Sequence, residues 1–413
     1  MPLIQPFRAL RPAPERAAEV LAPPYDVLTS DEARQRATGK PNSFLHVSKP
    51  EIDLPAGTDP YSPQVYAKAA ESLSRMIADG VLIRDPAPCY YAYRLTRQGR
   101  SQTGLAAAAS VADYASNRIR KHEFTTPVKE DDRVRQIEAV NAQTGPVMIA
   151  YPAAGAIDAM IAASTQGKPT VDVTAEDGVR HQMWIVSDAA RIAALTEAFE
   201  ALPAVYIADG HHRSAAAQRV SAARAASAPA PDASHRSFLS VLFPHHEMTI
   251  LDYNRVVRDL NGLAPEELLQ RINTDFRVQP VLTRGNERPT RGGEIAMYLE
   301  GHWYKLVIDP ALIPADDPVE RLDVALLARN IIEPILGIAD QRRDKRIDFV
   351  GGARGLGELA RRVDSGEMAV AFALYPTGME QLMAVAEAGQ VMPPKSTWFE
   401  PKLADGMVSL VLD

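Results

Sequence analysis

The sequence predicts a mixed α+β protein, and three observations carry that expectation. Short apolar runs such as Val205-Tyr206-Ile207-Ala208 have the length and composition of buried strands. Between residues 182 and 227 these runs alternate with helical periodicity, which implies helices layered on a sheet. The last third changes character: apolar runs over 295–299 and 303–308 meet at Gly301 as a hairpin, between segments of helical spacing.

Taken in order, the chain opens with proline-rich extended backbone centred on Ala22-Pro23-Pro24-Tyr25-Asp26-Val27. Ser62 caps a helix with Pro63 at its first position, Ala69, Leu73, Met76 and Ile77 on one face, and Gly80 as its stop. Strands are expected over 89–95 and 104–111. A helix over 131–143 turns Val134, Ile137 and Val140 inward and closes at Gly145, before a strand over 146–151. A strand over 182–186, a helix over 189–201 capped by Asp188, a strand over 204–208 and a helix over 211–227 come next. That helix runs into Ala228-Pro229-Ala230-Pro231-Asp232, a low-complexity loop expected to be mobile. Beyond it, Pro265 starts a helix, residues 322–336 have long amphipathic spacing, and Thr377 and Glu380 have capping-box spacing for a helix ended by Gly389. Three regions result: 1–100 as an extended and α+β region, 101–250 as the core, and 251–413 as a further α+β region.

With 413 residues the chain can bury a sizeable core, and its formal net charge of −7 argues against a nucleic-acid partner. The single cysteine, Cys89, builds neither a disulfide framework nor a cysteine-based zinc site, as in a reducing compartment. No stretch approaches the roughly 20 apolar residues of a membrane span, and no secretory pattern opens the chain, so a cytoplasmic location is expected.

The chemistry concentrates at Asp209-Gly210-His211-His212-Arg213. Here a strand runs into a helix, Asp209 has cap chemistry, and Gly210 lets backbone approach a ligand. The first helical turn presents amides without intrahelical acceptors, and positive side chains there oppose the helix dipole. A ligand that supplies negative charge resolves the conflict, which makes an anion site with Arg213 as its guanidinium. Adjacent histidines face different ways on a helix, so His211 and His212 do not ligate one ion together.

Asp209-Gly210-His211-His212-Arg213-Ser214-Ala215-Ala216 resembles the phosphate-binding signature of the ParB/sulfiredoxin superfamily. Further segments resemble a bacterial and archaeal family of unknown function, number 1015 in its series, whose members are often labelled ParB-like. They are 22–27, Ile119-Arg120-Lys121-His122-Glu123, Lys129-Glu130-Asp131-Asp132-Arg133, Gly145-Pro146-Val147, and Met392-Pro393-Pro394-Lys395-Ser396-Thr397 with Pro401-Lys402. The resemblance implies a ParB/sulfiredoxin-like core and a nucleotide ligand, because superfamily members bind nucleotides and some phosphorylate free serine or hydrolyse CTP.

The expected site residues fall into four groups. Gly210, His211, His212, Arg213, Arg120, Lys121, Lys395 and Ser396 would hold phosphate or nucleotide, with Asp209, His212 and Glu123 as catalytic candidates. Glu123 would be the general base towards an acceptor hydroxyl. Tyr25 and Asp26 would line a substrate pocket. Glu130 and Asp131 would hold Mg²⁺ accompanying ATP, ADP or another donor, although a helix dipole alone accounts for acids in a first turn. The expected activity is a kinase of a small hydroxylated metabolite, with free L-serine the acceptor that the resemblance suggests and a homodimer a candidate assembly. The alternative is a ParB-like nucleotide-binding or hydrolysing regulator without metabolite kinase activity. Sulfiredoxin-like repair needs a thiolate beside the site, where this chain has His211.

Overall fold

The computed structural model describes residues 1–225, 233–283 and 285–413 and is mixed α+β throughout. It divides into two compact units, one of residues 1–248 with 401–413 and one of 249–400. Ile4–Gln5 and Tyr90–Arg97 are strands of the same sheet as those that follow residue 100. The proline-alanine loop over 228–232 lies outside the described residues.

In the first unit the large sheet runs Ile119–Arg120, Val205–Asp209, Val147–Tyr151, Ser237–Pro244, Arg100–Ser110, Tyr90–Arg97, Arg180–Val186, Val171–Thr174, with Ile4–Gln5 paired to Arg100–Ser110. Four successive alanines, Ala106 to Ala109, have high helix propensity yet lie in a strand, because neighbours on both sides bury them and leave little room. A Cβ on Gly104 would lie 2.6 Å from the Leu242 carbonyl oxygen, so this strand admits only a bare backbone there. Tyr90, Ile149, Tyr151, Phe199, Ile207 and Phe238 belong to one buried cluster on this sheet.

Two pairings place the functional corner. Val205–Asp209 runs parallel to Ile119–Arg120, with Val205 opposite Ile119 and Tyr206 opposite Arg120, so the residues after each strand leave from the same end. Val147–Tyr151 runs antiparallel to Val205–Asp209, which brings the turn before Val147 to that end too. The helix Pro127–Val140 packs against the helix His211–Arg224. It ends at Asn141, whose left-handed φ of 50° closes it before Gly145 is reached. A smaller sheet orders Leu82–Arg84, Ala9–Pro12, Ser409–Val411, Ala142–Gln143, so residues after 401 are built into this unit.

The second unit carries a six-stranded sheet in the order Phe276–Pro280, His302–Ile308, Glu294–Leu299, Val370–Leu374, Tyr253–Val257, Ile347–Gly351. The expected hairpin is its Glu294–Leu299 and His302–Ile308 pair. The long helix expected over 322–336 is instead α-helical only over Asp323–Leu327 and widens to a π turn over Ala328–Ile332. Pro334 explains the break, since it has no N–H for the α ladder and crowds the carbonyl four residues back. Capping also differs in detail. The Ser62 hydroxyl makes no cap bond, and Gly378, not Thr377, begins the helix Met379–Glu387, its N–H donating to Gln381 Oε1 at 2.9 Å.

Candidate functional site

Three chain segments meet at the common end of those strands. Asp209 is the last residue of its strand and does not cap the helix. Gly210 is the cap residue, with φ +104°, a backbone region that L side chains rarely adopt. A Cβ there would stand 3.1 Å from the Arg213 guanidinium carbon, so glycine is required both by backbone and by the arginine folded over it. On the other side, a Cβ on Gly145 would be 3.2 Å from Arg213 Cδ. Two glycines thus leave a slot for one guanidinium.

Arg213 donates through Nη1 to the Pro146 carbonyl and lies 3.7 Å through Nη2 from the Asp209 carboxylate. Lys402 Nζ donates to the same carboxylate at 2.8 Å. Burial opposes charge on Asp209, but Lys402 and then Arg213 outweigh it and hold the carboxyl well below its ordinary range. Asp209 is therefore ionised and fixes two cations. It is engaged as a counter-ion, not poised as a base.

Arg213 is not sealed away. A cavity of about 30 Å³ lies beside it, lined also by Tyr25, Ser48, Arg133, Gln136, Thr144 and Asp405, room for about one water molecule. The Ser48 hydroxyl and Asp405 Oδ1 are buried there without hydrogen-bond partners, while Asp405 Oδ2 accepts the Tyr25 N–H at 3.1 Å. Burial pushes the Asp405 carboxyl up to about 7, against the pull of Arg213. The Arg133 guanidinium lies 4.0 Å from the Tyr25 ring centroid, a cation–π contact. Tyr25 lines the cavity, whereas Asp26, next to it, is exposed and outside the lining, though its charge still favours protonated Arg213 and Lys402.

The parallel pairing carries His122 and Glu123 to the same corner as His211. The two imidazoles stand edge to face, with centroids 4.5 Å apart. His211 Nδ1 is 3.6 Å from Glu123 Oε2, and the His122 N–H approaches His211 Nε2 at 3.5 Å. Burial, then the neighbouring His122, drives protonation of His211 well below the ordinary range, and burial pushes His122 down to about 4. Both rings are neutral at pH 7. Neither ring nitrogen of His122 makes a hydrogen bond of good geometry, the Ile207 carbonyl being at most a weak partner, although the residue is only 1% exposed. A buried polar group left so costs about 1–3 kcal/mol.

Other expected site residues are placed elsewhere. His212 Nε2 accepts the Thr126 N–H at 3.1 Å, just before the Pro127–Val140 helix. Lys121 donates to the Tyr114 carbonyl at 3.1 Å and lies over the Tyr114 ring, and burial lowers its pKa. The Arg120 guanidinium lies 6.0 Å from the Tyr206 ring centroid. Glu130 and Asp131 both face Arg219, at 3.4 and 2.7 Å, and so tie two helices together. The remaining Glu130 oxygen accepts from the Thr125 hydroxyl, so a magnesium ion on this pair would have to displace Arg219 and that hydroxyl. Lys395 and Ser396 belong to the second unit. There Lys395 is exposed with φ +57° and its Nζ lies 5.6 Å from the Tyr253 ring centroid, while the Ser396 hydroxyl donates to the Pro393 carbonyl at 2.6 Å.

Sequence reasoning assigns no site role to His122, Gly145, Lys402 or Asp405. The first three lie inside the segments that carry the family resemblance, which is the available signal. Asp405 has none, since its contact with the pocket depends on the chain returning from residue 401 onward.

Among solved structures the chain is similar to a free serine kinase in complex with AMP, at 14% identity and a TM-score of 0.34, over 71% of this chain and 86% of that one. It is similar to a conserved hypothetical protein from Pyrococcus furiosus at 14% identity and 0.36, over 73% and 93%. It is also similar to SbnI with a C-terminal truncation from Staphylococcus aureus at 12% and 0.38, over 74% and 87%. At these scores the likeness carries no functional argument. No curated protein matches the chain. The sequence profile of one family matches residues 4–325, most of the chain, which therefore belongs to the family described as protein of unknown function (DUF1015).

Proposed function

We propose that the protein is a nucleotide-dependent phosphotransferase acting on a small hydroxylated metabolite, with free L-serine as the first acceptor to test. The observation that carries the reading is Arg213, held between Gly145 and Gly210 at a helix N-terminus and bordered by a polar cavity. The Arg213 guanidinium and the first-turn amides belong to the same helix start, and both favour a phosphate group; in this reading the water-sized cavity beside Arg213 widens to admit one. The counter-ion Asp209 keeps the guanidinium in place without enclosing it in a bidentate pair, since its nearer partner is Lys402.

In this reading Glu123, half-exposed at the rim, accepts the proton of the acceptor hydroxyl as its oxygen attacks the terminal phosphorus of the donor. The phosphoryl group passes to the acceptor and the donor leaves one phosphate shorter. Arg213 and the backbone amides stabilise charge on the transferring group, which supplies most of the acceleration in such reactions. Neutral His211, 3.6 Å from Glu123, holds the carboxylate towards the corner.

The test incubates the purified chain with L-serine and ATP, ADP or pyrophosphate and measures phosphoserine. Product from wild type, lost in Arg213→Ala and Glu123→Gln, supports the reading. A panel of hydroxylated metabolites that yields no phosphorylated product with any donor, while nucleotide still raises the melting temperature, leaves a nucleotide-binding regulator instead.

A further inference from the structure

We propose that His122, His211 and Glu123 form a binding site for a divalent transition-metal ion. One ligating atom from each of the three lies within 4.8 Å of those of the other two. It is the one group of three or more such side chains among the described residues. Two imidazoles and one carboxylate suit zinc, cobalt, iron(II) or manganese, whereas magnesium prefers an all-oxygen shell.

The independent observation is His122. Its ring is almost fully buried and neither nitrogen makes a hydrogen bond of good geometry, the Ile207 carbonyl being at most a weak partner. A histidine that serves packing alone donates one ring N–H to a carbonyl or a carboxylate, as buried polar groups ordinarily do. A metal ion on one nitrogen explains the arrangement.

The geometry closes with small shifts. Tetrahedral ligands about 2.1 Å from an ion stand about 3.4 Å apart, and His211 Nδ1 to Glu123 Oε2 is already 3.6 Å. Coordination through Nδ1 places the ring proton of His211 on Nε2, so the 3.5 Å approach of the His122 N–H, at the outer limit for a hydrogen bond, is given up. The Glu123 side chain is 43% exposed, and that open side leaves a coordination position for water or a ligand oxygen. A bound ion ties up Glu123, so metal loading and the proton transfer proposed above exclude one another. The site does not rest on that reaction, because it is tested by binding alone.

The experiment uses the full chain, tag removed and treated with chelator, titrated with Co²⁺ and followed by its visible absorption and by calorimetry. One Co²⁺ per chain with intense bands of tetrahedral type is expected. Glu123→Gln, a rim substitution that does not disturb the core, should weaken binding at least about tenfold, and His122→Ala should abolish the bands. Circular dichroism confirms that each variant is folded. His302→Ala, an exposed histidine of the second unit, should bind as wild type. No bands in wild type, undiminished binding in folded Glu123→Gln, or loss in His302→Ala would overturn the proposal.

Discussion

Arg213 and Arg255 are largely buried guanidinium groups, one in each unit, and the fold compensates them differently. Arg213 has the Asp209 carboxylate and the Pro146 carbonyl beside it and a cavity on one flank. Its charge is reinforced, since Asp209 outranks every influence but burial. Arg255 donates only to carbonyls, those of Tyr253, Lys395 and Pro394, and lies over the Phe349 ring. Burial without a facing carboxylate pushes it down to about 9. In the proposed function the first arrangement is the one that would exchange a neighbour for a ligand anion. The second uses a cation as a clamp on the Pro394–Lys395 turn.

Breaking the ligand-facing member should have the largest effect. Arg213→Ala is expected to lower phosphotransfer about 10²- to 10³-fold and to remove the nucleotide-induced rise in melting temperature. A variant with wild-type turnover would erase the contrast. Arg255→Met should act on stability, with a loss of about 3 kcal/mol in urea unfolding, because three backbone carbonyls lose charge-assisted donors. An unchanged midpoint would mean the clamp holds nothing.

Acid sharpens the same distinction between satisfied and unsatisfied buried groups. His122 has a folded pKa of about 4 against about 6.5 unfolded, so the unfolded chain binds the proton first. Its contribution is present above pH 6.5 and lost as pH falls towards 4, by about 2–3 kcal/mol. His122→Gln should flatten that limb of the urea midpoint against pH. Asp405 has the opposite sign: with a folded pKa of about 7, its contribution is full below the ordinary carboxylate range and lost as pH rises through 7. Asp405→Asn should therefore stabilise the protein at pH 8 relative to wild type, by about 1–2 kcal/mol, and much less at pH 5. Lys395→Ala, at an exposed side chain, should cost less than about 0.5 kcal/mol.

Much of the first unit is legible in the sequence. Periodicity locates the Val205–Asp209 strand, the His211–Arg224 helix and the four-alanine strand to within a few residues. The corner itself is legible because its meaning is local: a glycine between a strand and a basic first turn. What escapes is non-local. His122 meets His211 only through parallel pairing of strands 86 residues apart, and a two-residue strand has no periodicity to detect. Asp209 has the chemistry of a helix cap, and the competing partner, Lys402, lies 193 positions away. The acids Glu130 and Asp131 suggest metal chemistry, but Arg219 on the facing helix decides their use. Pro334 is visible in the sequence, and its cost to a continuous helix outweighs the amphipathic spacing around it.

The strand Ser409–Val411 completes the small sheet of the first unit, and Lys402 and Asp405 reach the corner from the same stretch. During synthesis the ribosome must therefore deliver the whole of residues 249–400 before Lys402, the nearer of the two counter-charges of Asp209, exists. A nascent chain carries a nearly finished but electrically unbalanced corner for that interval, and any lesion that stops translation early leaves it so. If the corner takes a nucleotide as proposed, its affinity should depend on residues 401–413 as well as on the local fold.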